Sequence, residues 1–543
     1  MKRTKTLTKV LAGALLLGTL AACAATNQTP TPPPQPTGTG QATTTAPAAQ
    51  PADTQAPDAN GNGNGNGPAY GSLIIATANE TPSIAPGRHI TLSGAFKNAM
   101  THNSIFRTCY TDLEPVPDLI ESWTALSDVL FEFTLHQGIL FHNGEEMTAE
   151  DVVASFFYVR SYPDARTSHI SAVSAYVIDR YTFTIYTGEP NAGLFADMSG
   201  QANAVMPQSL IEAGHDFHAN PVGSGPFVFN DWRPGNYMSF TAFPYYFDEE
   251  RAARVQDVTW RFIPEASSRT IALEVGEVDY IVEVAESDVP RLQENPNVTV
   301  FMREGTGFHF MLLNNSLPQF ENIVARQALN LAIDQEALVL AAFDGLALAN
   351  RSHLSPAFPG VTDEGVLDFD PAAAVALLAE HNIDPASLAF DMVADTDPRR
   401  RMAEVVQAQL GEIGIPTTIT INDHATTIQR SLDAEYEALF GMVTSSNLIA
   451  LIRLAYHSDV GGNPNRSRFH DDRINELIDR GIATIDADAR NATFTEASRL
   501  LNELVPNVPT HVPLTIRAFN SNLIVPETSA TGGMNFNMVH WAQ

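Results

Sequence analysis

Cysteine is nearly absent. Two stand in 543 residues, Cys23 and Cys109, too few for a disulfide scaffold or a cysteine zinc cluster. Positive charge is scarce as well: 31 Lys and Arg face 62 Asp and Glu, a formal net charge of −31. Such an excess repels phosphate backbones and speaks against a nucleic-acid partner. No run of eighteen apolar residues occurs, so no segment is long enough to span a bilayer. Enzyme signatures are missing too. There is no Walker A run, no His-Glu-x-x-His, no Gly-x-Ser-x-Gly and no Ser-x-x-Lys. Gly223-Ser224-Gly225 is not a nucleophile elbow, because Pro226 blocks the helix that must follow. Paired carboxylates need no such motif, so a secreted glycosidase-type hydrolase stays open as a remote alternative.

What is present begins with a targeting signal. Lys2, Arg3, Lys5 and Lys9 precede an apolar run from Val10 to Ala22, and Leu20-Ala21-Ala22-Cys23 closes it. The run is too short to span unaided, and its end resembles a bacterial lipoprotein cleavage box. The expectation is a signal peptide over 1–22 and a lipid on the Cys23 thiol. Cleavage would leave 27 basic against 62 acidic residues, a formal charge of −35. Residues 23–68 are then a tether of Thr, Pro, Ala and Gln ending in repeated Asn-Gly, a composition with little apolar surface to bury. The protein would be lipid-anchored on the outer face of the bacterial cytoplasmic membrane. In the body beyond the tether Cys109 stands alone and reads as a small core residue.

Strand and helix periods alternate from Gly71 onward. Gly71–Ala76, Val129–Leu135 and Tyr181–Tyr186 read as strands. Thr148 with Asp151 predicts a helix start, Gly276 a helix stop after Arg269–Val275, and Asp370-Pro371 a capped helix. Met402, Val405, Val406, Leu410 and Ile413 form one helical stripe closed by Gly414, with a strand over Pro416–Ile421. Helices are expected around Ile474–Ile485 and Ala492–Leu504. Asp334 is expected to cap the helix after Ile333. The alternation predicts an α/β body.

Four stretches, in this order, resemble the extracellular solute-binding proteins of family 5, the peptide- and nickel-type receptors of ABC importers. The first is Pro117–Trp123 leading to Phe141-His142-Asn143-Gly144-Glu145 and on to Val152. The second is Pro221-Val222-Gly223-Ser224-Gly225-Pro226-Phe227, followed by Trp232–Asn236, Ile263–Ala266 and Gly276–Asp279. The third is Val324–Asp334 and the fourth Gln409–Ile415. Most of these residues specify turns, caps and packing. They mark a scaffold and leave the ligand open.

The resemblance implies a two-lobed periplasmic-binding-protein-like α/β fold (type II, cluster C) with an extra subdomain inserted in lobe I. Lobe I would be 69–100, 222–308 and 512–543, the insert 101–221, and lobe II 309–511. Hinge crossovers would fall near Gly305–Leu313 and Pro509–Phe519. It also implies a monomeric, non-catalytic receptor, without cofactor. The receptor would take oligopeptides or a similar polar solute and hand them to an ABC permease and its ATPase. A nickel-chelate, haem or oligosaccharide receptor on the same scaffold is the alternative.

Candidate ligand contacts follow from the same resemblance. Asn79, Glu80, Thr81 and Ser83 follow the first strand, where family chains pass near the ligand. His102 and Asn103 lie in the next irregular stretch, and Phe308 opens the first crossover. Peptide-type relatives commonly carry a Trp and an Asp in the segment that here reads Leu439 to Asn447; Met442 and Ser445 stand in those places, beside Thr444, Ser446 and Asn447. The Asp pairs with a peptide amino group, so its replacement by Ser445 speaks against an amino-terminal anchor. His215-Asp216-Phe217-His218 near Glu212 is a lone pair of imidazoles in a Gly/Pro-flanked loop, which makes no metal site.

Overall fold

The computed structural model describes residues 71–88, 92–162, 172–445, 447–458, 465–526 and 528–542. The leader, Cys23, the tether and Ser446 lie outside them. Ser72–Thr77 forms a strand that buries Leu73, Ile75 and Ala76. It runs parallel to Asp257–Phe262, with Ile75 opposite Trp260, and at its other edge Ile75 meets Tyr280.

That strand belongs to one large mixed sheet. The order begins at Thr417–Ile421, Phe390–Ala394, Ala438–Val443 and Phe308–Leu313. It passes through Asn507–Asn520 and then Tyr280–Ile281, Ser72–Thr77, Asp257–Phe262, Tyr237–Ala242 and Phe227–Arg233. Asn507–Asn520 is the member that both halves share. Its first residues pair with the strand Phe308–Leu313, and Leu514–Asn520 pair with Val298–Glu304. The other crossing is Gly305-Thr306-Gly307. It is held by Gly305 N donating to Pro513 O at 3.0 Å and Thr306 N donating to Ala530 O at 3.1 Å.

Each half has its own apolar core. Leu73, Phe240, Trp260 and Tyr280 build one. Met311, Leu329, Met392 and Val406 build another under helices 323–332 and 397–412. A separate antiparallel sheet of Ile120–Ser127, Leu130–Leu135, Thr182–Tyr186 and Ser174–Val177 stacks Phe131, Phe133 and Phe183 over the helix Ala149–Arg160. Leu113 and Ala530 bury themselves in a core otherwise supplied by residues 308–512, so packing crosses the segment boundaries that the family resemblance implies.

The local signals are found where the residues put them. Thr148 and Asp151 close a capping box, and Asp334 and Asp370 accept from helix N–H groups. Gly276 and Gly414 end helices at φ +79° and +83°, a region that a side chain rarely enters. Among the described residues no helix is long and apolar enough to cross a membrane.

Candidate functional site

Between the two halves lies a cavity of about 620 Å³. One wall begins with the helix Leu92–Thr101, which brings Phe96 and Ala99 to the cavity, and continues through His102 and Asn103 to the strand Phe106–Thr108. The glycines of Pro221–Phe227 explain how this wall is held. A Cβ on Gly225 would sit 2.4 Å from the Thr101 carbonyl carbon, and one on Gly223 2.3 Å from its oxygen. Gly225 N donates to Thr101 O at 3.0 Å. His142 pins the loop from behind through Gly225 O at 2.9 Å. Burial pushes the His142 imidazole down to about 4, partly offset by that bond. So the segment is a clamp on residues 100–102.

A charge network crosses the floor. Asp118 pairs with Arg251 and accepts from Asn103 Nδ2 at 2.9 Å. Asn103 Nδ2 also donates to the Tyr246 hydroxyl at 3.1 Å, and Ser224 Oγ donates to Asn103 Oδ1 at 3.3 Å. Burial alone would lower the Arg251 guanidinium; Asp118, Tyr246 and Asp248 more than reverse this and hold it above its ordinary range. Tyr110 donates to Asn535 Oδ1 at 2.8 Å. Burial pushes its hydroxyl up to about 12, against the pull of Arg107 and Arg251. Thr306, Thr444 and Ser445 face this network from the opposite side, and Thr531, Gly533 and Asn537 complete the rim.

Of the sequence-predicted contacts, His102, Asn103, Thr444 and Ser445 come together at this cavity. The others stand elsewhere. Glu80 accepts from Trp232 Nε1 at 2.5 Å and Gly235 N at 2.9 Å, and it faces the buried Lys97, whose ammonium burial lowers to about 7 against the opposing charges of Glu283 and Glu80. Thr81 and Ser83 are buried and tie their own turn, with Thr81 Oγ1 donating to Ser83 O at 2.7 Å. Asn79 is exposed beside that turn. Phe308 is wholly buried against Phe310 and Tyr456. Met442 is exposed, opposite His309 in the sheet. Asn447 caps the helix Leu448–Tyr456 by accepting from Ala450 N at 2.7 Å and borders a smaller cavity of about 180 Å³. His215 and His218 diverge, one to Asn220 O and the other onto Trp232. Among the described residues no three His, Cys, Asp or Glu side chains gather as a metal set.

Residues 114–450 match the profile described as bacterial extracellular solute-binding proteins, family 5 Middle. The chain belongs to this family. The Heme-binding protein A of Haemophilus influenzae is 26% identical over 444 residues, covering 74% of this chain and 80% of that protein. The Dipeptide-binding protein of Escherichia coli is 22% identical over 433 residues, covering 72% and 80%. The solved structure of HbpA2 from Haemophilus parasuis superposes with a TM-score of 0.80 at 21% identity, over 87% of this chain and all of that one. The fold is therefore the two-lobed type II binding-protein fold of family 5 members.

Within that family 5 scaffold, much of the cavity escaped sequence reasoning. Arg107, Tyr110, Gln201, Tyr246 and Arg251 carry its polarity but sit in no motif. Asp118 lay inside the Pro117–Trp123 stretch and read only as part of the scaffold. The one usable signal for Arg107 was a basic residue beside the apolar Ile105-Phe106 in a strongly acidic chain.

Proposed function

We propose that this protein captures a short peptide or a similar polar solute outside the cytoplasmic membrane, closes its lobes over it and delivers it to an ABC permease driven by its ATPase. The observation that carries the reading is the cavity of about 620 Å³, lined by polar side chains from both halves of the shared sheet. That volume lies in the range of small-molecule sites. Closure excludes water and strengthens each polar contact. The reading needs no covalent step.

The lobes are proposed as 69–100 with 222–308 and 512–543, and 309–511, with 101–221 as the insert. Lipidation of Cys23 and a monomeric state belong to the same proposal. Changing Cys23→Ala should then move the protein from the membrane fraction to the soluble fraction or medium; unchanged membrane retention would contradict the anchor.

Native mass spectrometry of the protein purified from the cells that make it tests the ligand. A retained peptide mass is expected. A porphyrin, nickel-chelate or sugar mass would replace the peptide with the corresponding alternative. A protein that retains nothing, and takes up nothing from a peptide hydrolysate, would contradict capture.

A further inference from the structure

Resting on the reading of this cavity as the solute site, we infer that Arg107 is the anchor for a carboxylate of the captured solute. The charges at the cavity can be accounted for one by one. Asp118 is occupied by Arg251 and Asn103, and Arg251 reaches Asp248 as well, at 2.6 Å. Those groups engage one another, one guanidinium between two carboxylates. Arg107 has no such partner: its Nε is buried without a hydrogen bond, and its guanidinium makes no ion pair among the described residues.

The placement of Arg107 is imposed by its strand. Phe106 turns into the apolar core of the insert, so the next side chain emerges on the other face, at the cavity. A guanidinium left without an acceptor in a half-buried position is unfavourable, and a ligand that supplies the acceptor removes the penalty. Its planar fork matches a carboxylate in two parallel bonds. The surroundings agree. Of the charged groups that line this cavity, Arg107 and Arg251 against Asp118, Arg107 is the one that no carboxylate among the described residues engages, which favours an anion beside it. Gln201 Oε1, also at the cavity, is likewise buried without a partner, and it is an acceptor for an amide N–H of the same solute. Thr444 and Ser445 lie on the opposite lobe and Thr306 on the crossing between the lobes, so a solute held at Arg107 has polar groups to meet on closure.

The test uses the full-length protein, stripped of retained solute by denaturant and refolded. A short-peptide casein hydrolysate is divided, and one half has its carboxyl groups converted to methylamides with carbodiimide and methylamine. After incubation and desalting, native mass spectrometry reads the retained masses. The wild-type protein should hold the untreated peptides and hold the capped ones about tenfold to a hundredfold less well, the loss expected for one charge-assisted pairing. Arg107→Gln should bring the untreated peptides down to the capped level at an unchanged melting temperature. Arg107→Lys, which keeps the charge and loses the fork, should fall between. Equal retention of both halves by the wild type, or a preference surviving in Arg107→Gln, would overturn the anchor while leaving solute capture intact. No retention of either half would overturn the peptide reading and the anchor with it. Should Arg107→Gln fail to fold, the wild-type comparison and Arg107→Lys still decide.

Discussion

At the scale of single residues, four buried histidines weaken this protein in mild acid. Burial pushes His142, His309 and His353 down to about 4 and His511 down to about 3. Arg399 adds to the effect at His309 and, with His309, at His511. His309 and His511 stack at 4.2 Å on the two strands that run between the lobes. In the unfolded chain each titrates near 6.5. Below that value the unfolded state binds protons that the folded state refuses. The stability is therefore fully present above about pH 6.5 and is lost as the pH falls toward the folded values. Each site should cost roughly 2 kcal/mol between pH 7 and pH 5. Urea unfolding at the two pH values should show a much lower midpoint at pH 5, and equal midpoints would contradict this account. None of this was legible in the sequence. A histidine carries the same letters whether it is buried in a sheet or exposed. The same limit hid Glu80: a free carboxylate on paper, it is already occupied by Trp232 and Gly235.

At the scale of elements the sequence was more readable, because caps and stops act within a few residues. Thr148, Asp334, Asp370, Gly276 and Gly414 mark their helix ends through local hydrogen bonds and backbone sign, and no distant contact was needed to find them. Gly223 and Gly225 were legible as glycines that matter. Their reason was not, because the Thr101 backbone they admit is more than a hundred residues away in sequence. Gly225→Ala should therefore cost about 1–3 kcal/mol through backbone overlap and should loosen the 100–103 wall, so that solute retention falls before global unfolding. Gly411→Ala is the contrasting case. It lies within the helix Asp397–Glu412 with open space around the added methyl, and should stabilise by up to about 1 kcal/mol. Thermal melts of both variants beside the wild type check the pair, and a harmless Gly225→Ala would show that the clamp is not tight.

At the scale of the whole molecule the fold was foreseeable and the site only partly so. The family-specific stretches encode turns, caps and helix–sheet packing that every member of the scaffold needs, whereas the cavity is assembled from separate segments near 100, 110, 118, 200, 250, 306, 445 and 535. No local pattern joins these; the shared strand Asn507–Asn520 and the Gly305–Gly307 crossing do, by carrying the chain between the two halves. The central claim is that one solute is held by both walls at once. Backbone amide hydrogen exchange, read by mass spectrometry on the protein with its retained solute and after stripping, tests it most directly. The account predicts that the solute slows exchange together in residues 101–110 on one wall and in 304–308 and 441–445 on the other. Protection confined to one wall, or no difference in either, would contradict it.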